Sequence, residues 1–346
     1  MSKTSIEWSQ FTWNPTTGCT VCSAGCARCY ALPQSMRNKA MGLKKYENGF
    51  EITMHVEELL RPYRWKKGRL IFVNSMSDLF HPGVTDEFIK RVFKVMNETP
   101  QHTYQVLTKR ADRMASLSSE LVWTSNIWAG VSIENMKVIN RLDYLKKCHS
   151  NVKFLSLEPL LESLPNLNLE GIDQVLVGGE SGTGKIRPIK EEWVIDLKNQ
   201  CRNHKVAFFF KQWGHRNNNP NPLDPTLIKG HQHYAKGGCQ LHGVVYREFP
   251  LLFQPKTKAF VKQLDSKSET QVNNQDSALK SFVGSLSPFK KIIGEALING
   301  ESPDALTTRF SVERAMPKKT AQAYVTMVVD KLEKYSEGNL NLTSNN

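Results

Sequence analysis

Six short runs of this chain are apolar almost from end to end: Leu70–Asn74, Tyr104–Thr108, Ile127–Ser132, Lys153–Leu157, Gln174–Gly178 and Val206–Phe210. A strand reads this way when both of its faces are buried. Helical patterning separates the runs. Asp86–Asn97 carries Phe88, Ile89, Val92, Phe93 and Met96, and Lys190–His204 carries Trp193, Ile195 and Leu197. Strand–helix alternation predicts a parallel sheet. A further strand ahead of residue 19 brings the total to about seven, enough for a barrel or part of one. The expected fold class is α/β, a partial (β/α) TIM-like barrel, with a small C-terminal helical domain beyond it.

The ends of the runs carry the chemistry. In chain order they give Asn74-Ser75-Met76-Ser77-Asp78, Thr108-Lys109-Arg110, Ser132 with Glu134 and Asn135, Glu158-Pro159, Gly178-Gly179-Glu180 and Lys211-Gln212-Trp213. One such end is an ordinary cap or turn. Six in succession point to a shared mouth, because a β/α barrel gathers the carboxyl ends of its strands at one rim.

Four cysteines lie within eleven residues: Cys19, Cys22, Cys26 and Cys29. Neighbouring pairs this close strain a disulfide. The opening MSKTSIEWSQ lacks the apolar core of a secretory leader, which predicts a reducing, cytoplasmic setting. Zinc sites usually separate two Cys-x-x-Cys knuckles by a dozen residues or more. Here only three residues stand between the pairs, a spacing that suits a larger iron–sulfur cluster wrapped by one loop. Four thiolates would saturate a [4Fe-4S] cluster, whereas three leave one iron open.

Cys22-x3-Cys26-x2-Cys29 is similar to the ligand motif of the radical S-adenosylmethionine superfamily. More of the chain resembles an uncharacterised phage-associated family known for a three-cysteine motif. The resemblance rests on Ile6-Glu7-Trp8, Thr12-Trp13-Asn14-Pro15, Cys29-Tyr30-Ala31, FVNSMSDLFH, QVLTKR, FLSLEPLL, VGGESG and FFFKQWG, across about residues 5–250. That family itself resembles radical S-adenosylmethionine enzymes of the spore photoproduct lyase branch. The resemblance implies a barrel of that type, a [4Fe-4S] cluster, S-adenosylmethionine as cosubstrate and an external electron donor. The family spacing selects Cys19, Cys26 and Cys29. Cys22 is then a bystander, a substitute ligand or a fourth ligand. Arg28 stands where many superfamily members have an aromatic residue.

The mouth accordingly supplies Ser75, Ser77, Asp78, Thr108, Ser132, Glu134, Gly178 and Gly179 as candidate cofactor-binding residues. Lys109, Glu158, Glu180 and Lys211 are the candidate catalytic set. The net charge of +13 favours a polyanionic partner. Nine basic and eight acidic residues from Asp276 onward leave that excess in the first part of the chain. Arg61, Arg64, Lys66, Lys67 and Arg69 surround Tyr63 and Trp65, a pairing expected where phosphates and unstacked bases are held. With Arg110 they form the candidate nucleic-acid surface, for DNA rather than RNA.

The expected organisation is a barrel over 1–255, a polar linker over 256–277, a helix-turn-helix-like domain over 278–337 and a disordered tail over 338–346. The small domain reads equally as a DNA reader or a protein-docking module. No run approaches the ~18 apolar residues of a membrane span. The leading reading is a radical enzyme that repairs or modifies a nucleic-acid base. The alternatives are a nucleic-acid-binding module with a structural or redox-sensing iron–sulfur or zinc site, and a radical enzyme acting on a small nucleotide or a protein.

Overall fold

The structure is a computed structural model that describes residues 4, 6–182, 185–220, 237–242 and 244–250, together with isolated helical positions at 306, 307, 322, 325, 326 and 329. The chain divides into two compact units, Met1–Phe253 and Gln254–Asn346. The expected linker, and the tail, lie outside the described residues, and only those isolated positions represent the expected helical domain.

The first unit is built on seven parallel strands: β1 (Phe11–Trp13), β4 (Leu70–Val73), β5 (Thr103–Thr108), β6 (Ile127–Ser132), β7 (Val152–Leu157), β8 (Gln174–Gly178) and β9 (Ala207–Gln212). Two residue-pair strands, β2 (Thr16–Thr17) and β3 (Thr53–Met54), form a separate antiparallel pair. β10 (Gln240–Leu241) and β11 (Val244–Val245) form another. In the large sheet every strand pairs with the next along the chain, so the sheet curls into a half-barrel. The helices α1 (Ala31–Ala40), α2 (Asp86–Glu98), α3 (Ala111–Leu117), α4 (Arg141–Lys146) and α5 (Glu191–His204) connect successive strands. β7 passes to β8 without one.

Alternate residues of the strands enter two separate cores, which explains the unbroken apolar runs. Ile127, Ala129 and Val131 of β6 join the larger core with the helix residues Phe88, Val92 and Leu197. Trp128, between them, joins Trp8, Phe72, Phe154, Leu176 and Phe209 in a second core. Gly130 makes that second core fit, because a Cβ there would stand 2.3 Å from the Phe154 ring. Each of the fully buried phenylalanines contributes roughly 1.5–3 kcal/mol. Helix α2 opens where Thr85 Oγ1 accepts from the Phe88 amide at 3.3 Å, with Asp86 and Glu87 in its first turn. Helix α5 closes at Lys205, in the left-handed region with φ 57°.

Candidate metal centre and strand-end cavity

A cavity of about 240 Å³ lies at the carboxyl ends of the strands. Its lining takes Asn74, Ser75 and Asp78 after β4, Thr108 and Lys109 at β5, Ser132 at β6, Glu158 after β7, Glu180 after β8 and Lys211 of β9. Cys19, Cys26 and Cys29 line the same cavity. The predicted shared mouth is therefore present, with the cysteine loop on its rim.

Gly18 launches that loop. Its φ is +82°, and a Cβ there would sit 2.1 Å from the Glu51 carbonyl oxygen. Its amide donates to Met76 O at 3.1 Å, and the Cys19 amide donates to Phe50 O at 3.2 Å. A single 3-10 turn, Ala24–Cys26, then presents Cys26, and the Cys29 amide returns to Cys26 O at 3.2 Å.

Three carboxylates at alternate strand ends hold the loop in place. Asp78 Oδ1 accepts from Thr108 Oγ1 at 2.6 Å and from the Phe80 amide at 3.0 Å. Its Oδ2 accepts from the Lys109 amide and from Arg110 Nη1, both at 3.0 Å. Arg110 in turn donates to Thr20 O at 3.0 Å and to Cys19 Sγ at 3.6 Å. Glu134, fully buried, accepts from the Gly25 amide at 3.0 Å on one oxygen and from Arg141 at 3.0 Å on the other. Burial by itself would raise the Glu134 carboxyl, but the Ser23 hydroxyl, the Gly25 N–H and the Lys109 and Arg141 cations hold it below its ordinary value. Glu180 pairs with Arg187, whose Nη1 donates to Ala24 O at 2.9 Å, and Arg28 Nε stands 3.6 Å away. Burial opposes the Glu180 charge, and the Arg187 fork outweighs it, so this carboxyl also lies low.

The sulfurs are not equivalent. Cys22 is exposed and lies outside the cavity lining, with its Sγ 3.8 Å from that of Cys26. That contact with Cys22 draws the Cys26 thiol down, against its own burial. Among the described residues, no group of three His, Cys, Asp or Glu side chains is placed to hold a single metal ion. The chemistry of the donor set suits an anionic thiolate-held cluster: three thiols line the same cavity, and Arg110 Nη1 donates to Cys19 Sγ.

Residues 3–250 match the sequence model of a family described as Protein of unknown function (DUF5131). The chain belongs to that family. No curated protein and no solved structure matches it.

In this DUF5131 chain the other predicted site residues divide clearly. Ser75 Oγ donates to Asn14 Oδ1 at 3.1 Å, and Ser77 Oγ accepts from Thr16 Oγ1 at 2.9 Å. Ser132 gives its carbonyl to Arg141 at 2.8 Å. Gly179 packs against backbone, since a Cβ there would lie 2.3 Å from Trp213 O. Lys211 pairs with Glu158 at 3.2 Å inside the cavity.

The predicted basic segment is elsewhere. Residues 61–69 lead into the amino end of β4, whereas the cavity lies at the carboxyl ends. Trp65 is buried against His102, Arg69 stacks over Phe11 at 4.1 Å, and Arg61 pairs with Glu58 at 2.9 Å. Arg64, Lys66 and Lys67 remain exposed. Arg110, grouped with these cations in the candidate nucleic-acid surface, lies apart from them, lines the cavity and braces the cysteine loop.

Sequence reasoning missed Arg141 and Arg187. A signal for both was present, because each follows its carboxylate by seven residues, Glu134 to Arg141 and Glu180 to Arg187.

Proposed function

We propose that this chain is an iron–sulfur enzyme of the radical S-adenosylmethionine type that acts on a nucleic-acid base, in DNA rather than RNA, to repair or modify it. One observation supports the reading most: three thiols of the amino-terminal loop line the same cavity as the polar ends of six strands. Cys19, Cys26 and Cys29 would hold a [4Fe-4S] cluster, which supplies the single electron that cleaves S-adenosylmethionine.

The chain's own residues do the rest. Asp78, Glu134 and Glu180 fix the loop, so the thiols need little rearrangement on metal binding. Trp8, Phe72 and Leu107 keep the inner wall apolar and limit water. Arg28 and Lys109 bring positive charge to the mouth, where a phosphodiester backbone would run. The external electron donor and the cytoplasmic setting follow from the same proposal. Among the described residues no helix is long and apolar enough to cross a membrane.

Cys22 favours one competing reading. Its contact with Cys26 brings a fourth thiol to the loop, and four-thiolate saturation would make the centre structural or redox-sensing in a nucleic-acid-binding module. Anaerobic reconstitution decides between the two. Inorganic sulfide with iron, and 5′-deoxyadenosine formed from S-adenosylmethionine on reduction, support the enzyme. Zinc without sulfide, or a reduced cluster indifferent to S-adenosylmethionine, overturns it.

A further inference from the structure

Three carboxylates line the cavity, Asp78, Glu158 and Glu180, and Glu134 lies buried beside it; of these four, three are spent on the loop and one is not. Asp78, Glu134 and Glu180 have both oxygens engaged within the chain. Glu158 differs. Its Oε2 accepts from Lys211 Nζ at 3.2 Å and from Ser156 Oγ at 3.5 Å. Its Oε1 is buried and has no partner among the described residues. The socket is cut for this side chain, because a Cβ at Gly178 would stand 2.9 Å from Oε1. A buried carboxylate oxygen without a donor destabilises the folded chain, and such a group calls for a partner from outside the chain.

Lys211 supplies the complementary half. Burial disfavours its charge, but Glu158 and Glu7 outweigh that and hold the ammonium protonated. An ammonium has three donors, and Glu158 takes one of them. The cavity thus sets an unfilled acceptor beside a cation with donors to spare, against an apolar wall of Trp8, Phe72 and Leu107. A phosphate does not suit this pair, since it would face the Glu158 charge. A flat heterocycle does, if its edge offers an N–H next to an acceptor.

Resting on the nucleic-acid reading of this cavity, we propose that Glu158 and Lys211 read the lactam edge of an oxo base, with the ring N–H donating to the Glu158 carboxylate and the adjacent carbonyl accepting from Lys211 Nζ. Guanine, thymine and uracil carry that edge. Adenine and cytosine pair an amino donor with a ring nitrogen instead. A charge-assisted bond to carboxylate favours the more acidic ring N–H. A carbonyl oxygen offers an ammonium two lone pairs, and a ring nitrogen offers one.

The test is a binding series with the full chain. Fluorescent single strands of abasic backbone, each with one central guanine, thymine, adenine or cytosine, are compared with a base-free strand by anisotropy. The guanine and thymine strands bind roughly tenfold tighter than the other three, the size expected of one two-point base contact. Glu158→Ala abolishes that preference, and Glu158→Gln, which keeps an acceptor but loses the charge, narrows it. Equal binding of all strands by the wild type, which needs no variant to fold, overturns the proposal. So does a preference that survives Glu158→Ala, or a Glu158→Ala loss confined to S-adenosylmethionine affinity in equilibrium dialysis. Base preference in a chain that forms no 5′-deoxyadenosine supports the edge reading and removes the enzymatic one. 5′-Deoxyadenosine formation without base preference does the reverse.

Discussion

Glu134, just beyond the end of β6, accepts the backbone N–H of Gly25 at 3.0 Å, so a carboxylate 109 residues away sets the turn that presents Cys26. Its other oxygen holds Arg141, and neither side chain reaches solvent appreciably. Glu134→Ala leaves a buried guanidinium unpaired and costs about 3–5 kcal/mol of unfolding free energy. Glu134→Gln retains an acceptor for Gly25 and loses the ion pair, so the reconstituted protein keeps more iron than Glu134→Ala. Urea unfolding and iron analysis on the two variants check both statements.

Acid weakens the same anchors. The Glu134 and Glu180 carboxyls lie below their ordinary value of 4.5 in the folded chain. Groups with depressed values contribute stability that is complete above the unfolded value and is lost as pH falls through the folded one. The stability difference between wild type and a Glu134→Gln, Glu180→Gln double variant is therefore full at about pH 6 and shrinks toward about pH 3. Urea midpoints at the two pH values measure it.

Asp78 accepts four hydrogen bonds, from Thr108, Phe80, Lys109 and Arg110. Asp78→Ala frees Arg110, whose side chain is only 10% exposed, and releases its hold on Thr20 and Cys19. A loss of about 3 kcal/mol is expected for a broken buried pair. Arg110→Lys does not rescue the loop, because the guanidinium bridges several acceptors in a fixed plane and an ammonium does not. Thermal unfolding and the sulfide content of Arg110→Lys give the answer.

The thiols separate by position. Cys19, Cys26 and Cys29 line the cavity, and Cys22 is exposed outside it. Cys22→Ser retains wild-type iron and sulfide after anaerobic reconstitution, whereas Cys19→Ser, Cys26→Ser and Cys29→Ser each lose most of both. Iron and sulfide retained by Cys19→Ser but lost by Cys22→Ser would reverse the assignment of the third ligand.

Neutralising Arg64, Lys66 and Lys67 together removes exposed charge at the amino end of the barrel, away from the cavity. Affinity for a long duplex drops, and its salt slope flattens by up to about 0.9 per lost phosphate contact. Affinity for a strand short enough to occupy only the cavity stays constant. Anisotropy titrations across salt concentrations distinguish the two ends of the molecule.

Much of the scaffold was legible because strands buried on both faces leave little choice of residue. Ile127–Ser132 and Gln174–Gly178 match their runs residue for residue, and the other four differ by at most two residues at either end. The small β2 and β3 pair was not legible, since two-residue strands carry no period. At the site, residue type revealed which side chains could bear charge but not where that charge is spent. Asp78 reads as a cofactor-binding residue by sequence and Glu180 as a catalytic one, and in the structure their oxygens accept from Arg110 and Arg187. Trp65 read as a stacking platform, but its ring packs into the core beside His102. Each outcome depends on contacts between distant segments, which no local pattern encodes.

The ties on Thr20, Gly25 and Ala24 come from Arg110, Glu134 and Arg187, which lie 90, 109 and 163 residues further along the chain, so the spacing of the cysteine loop is set only once the far half of the sheet has been laid down.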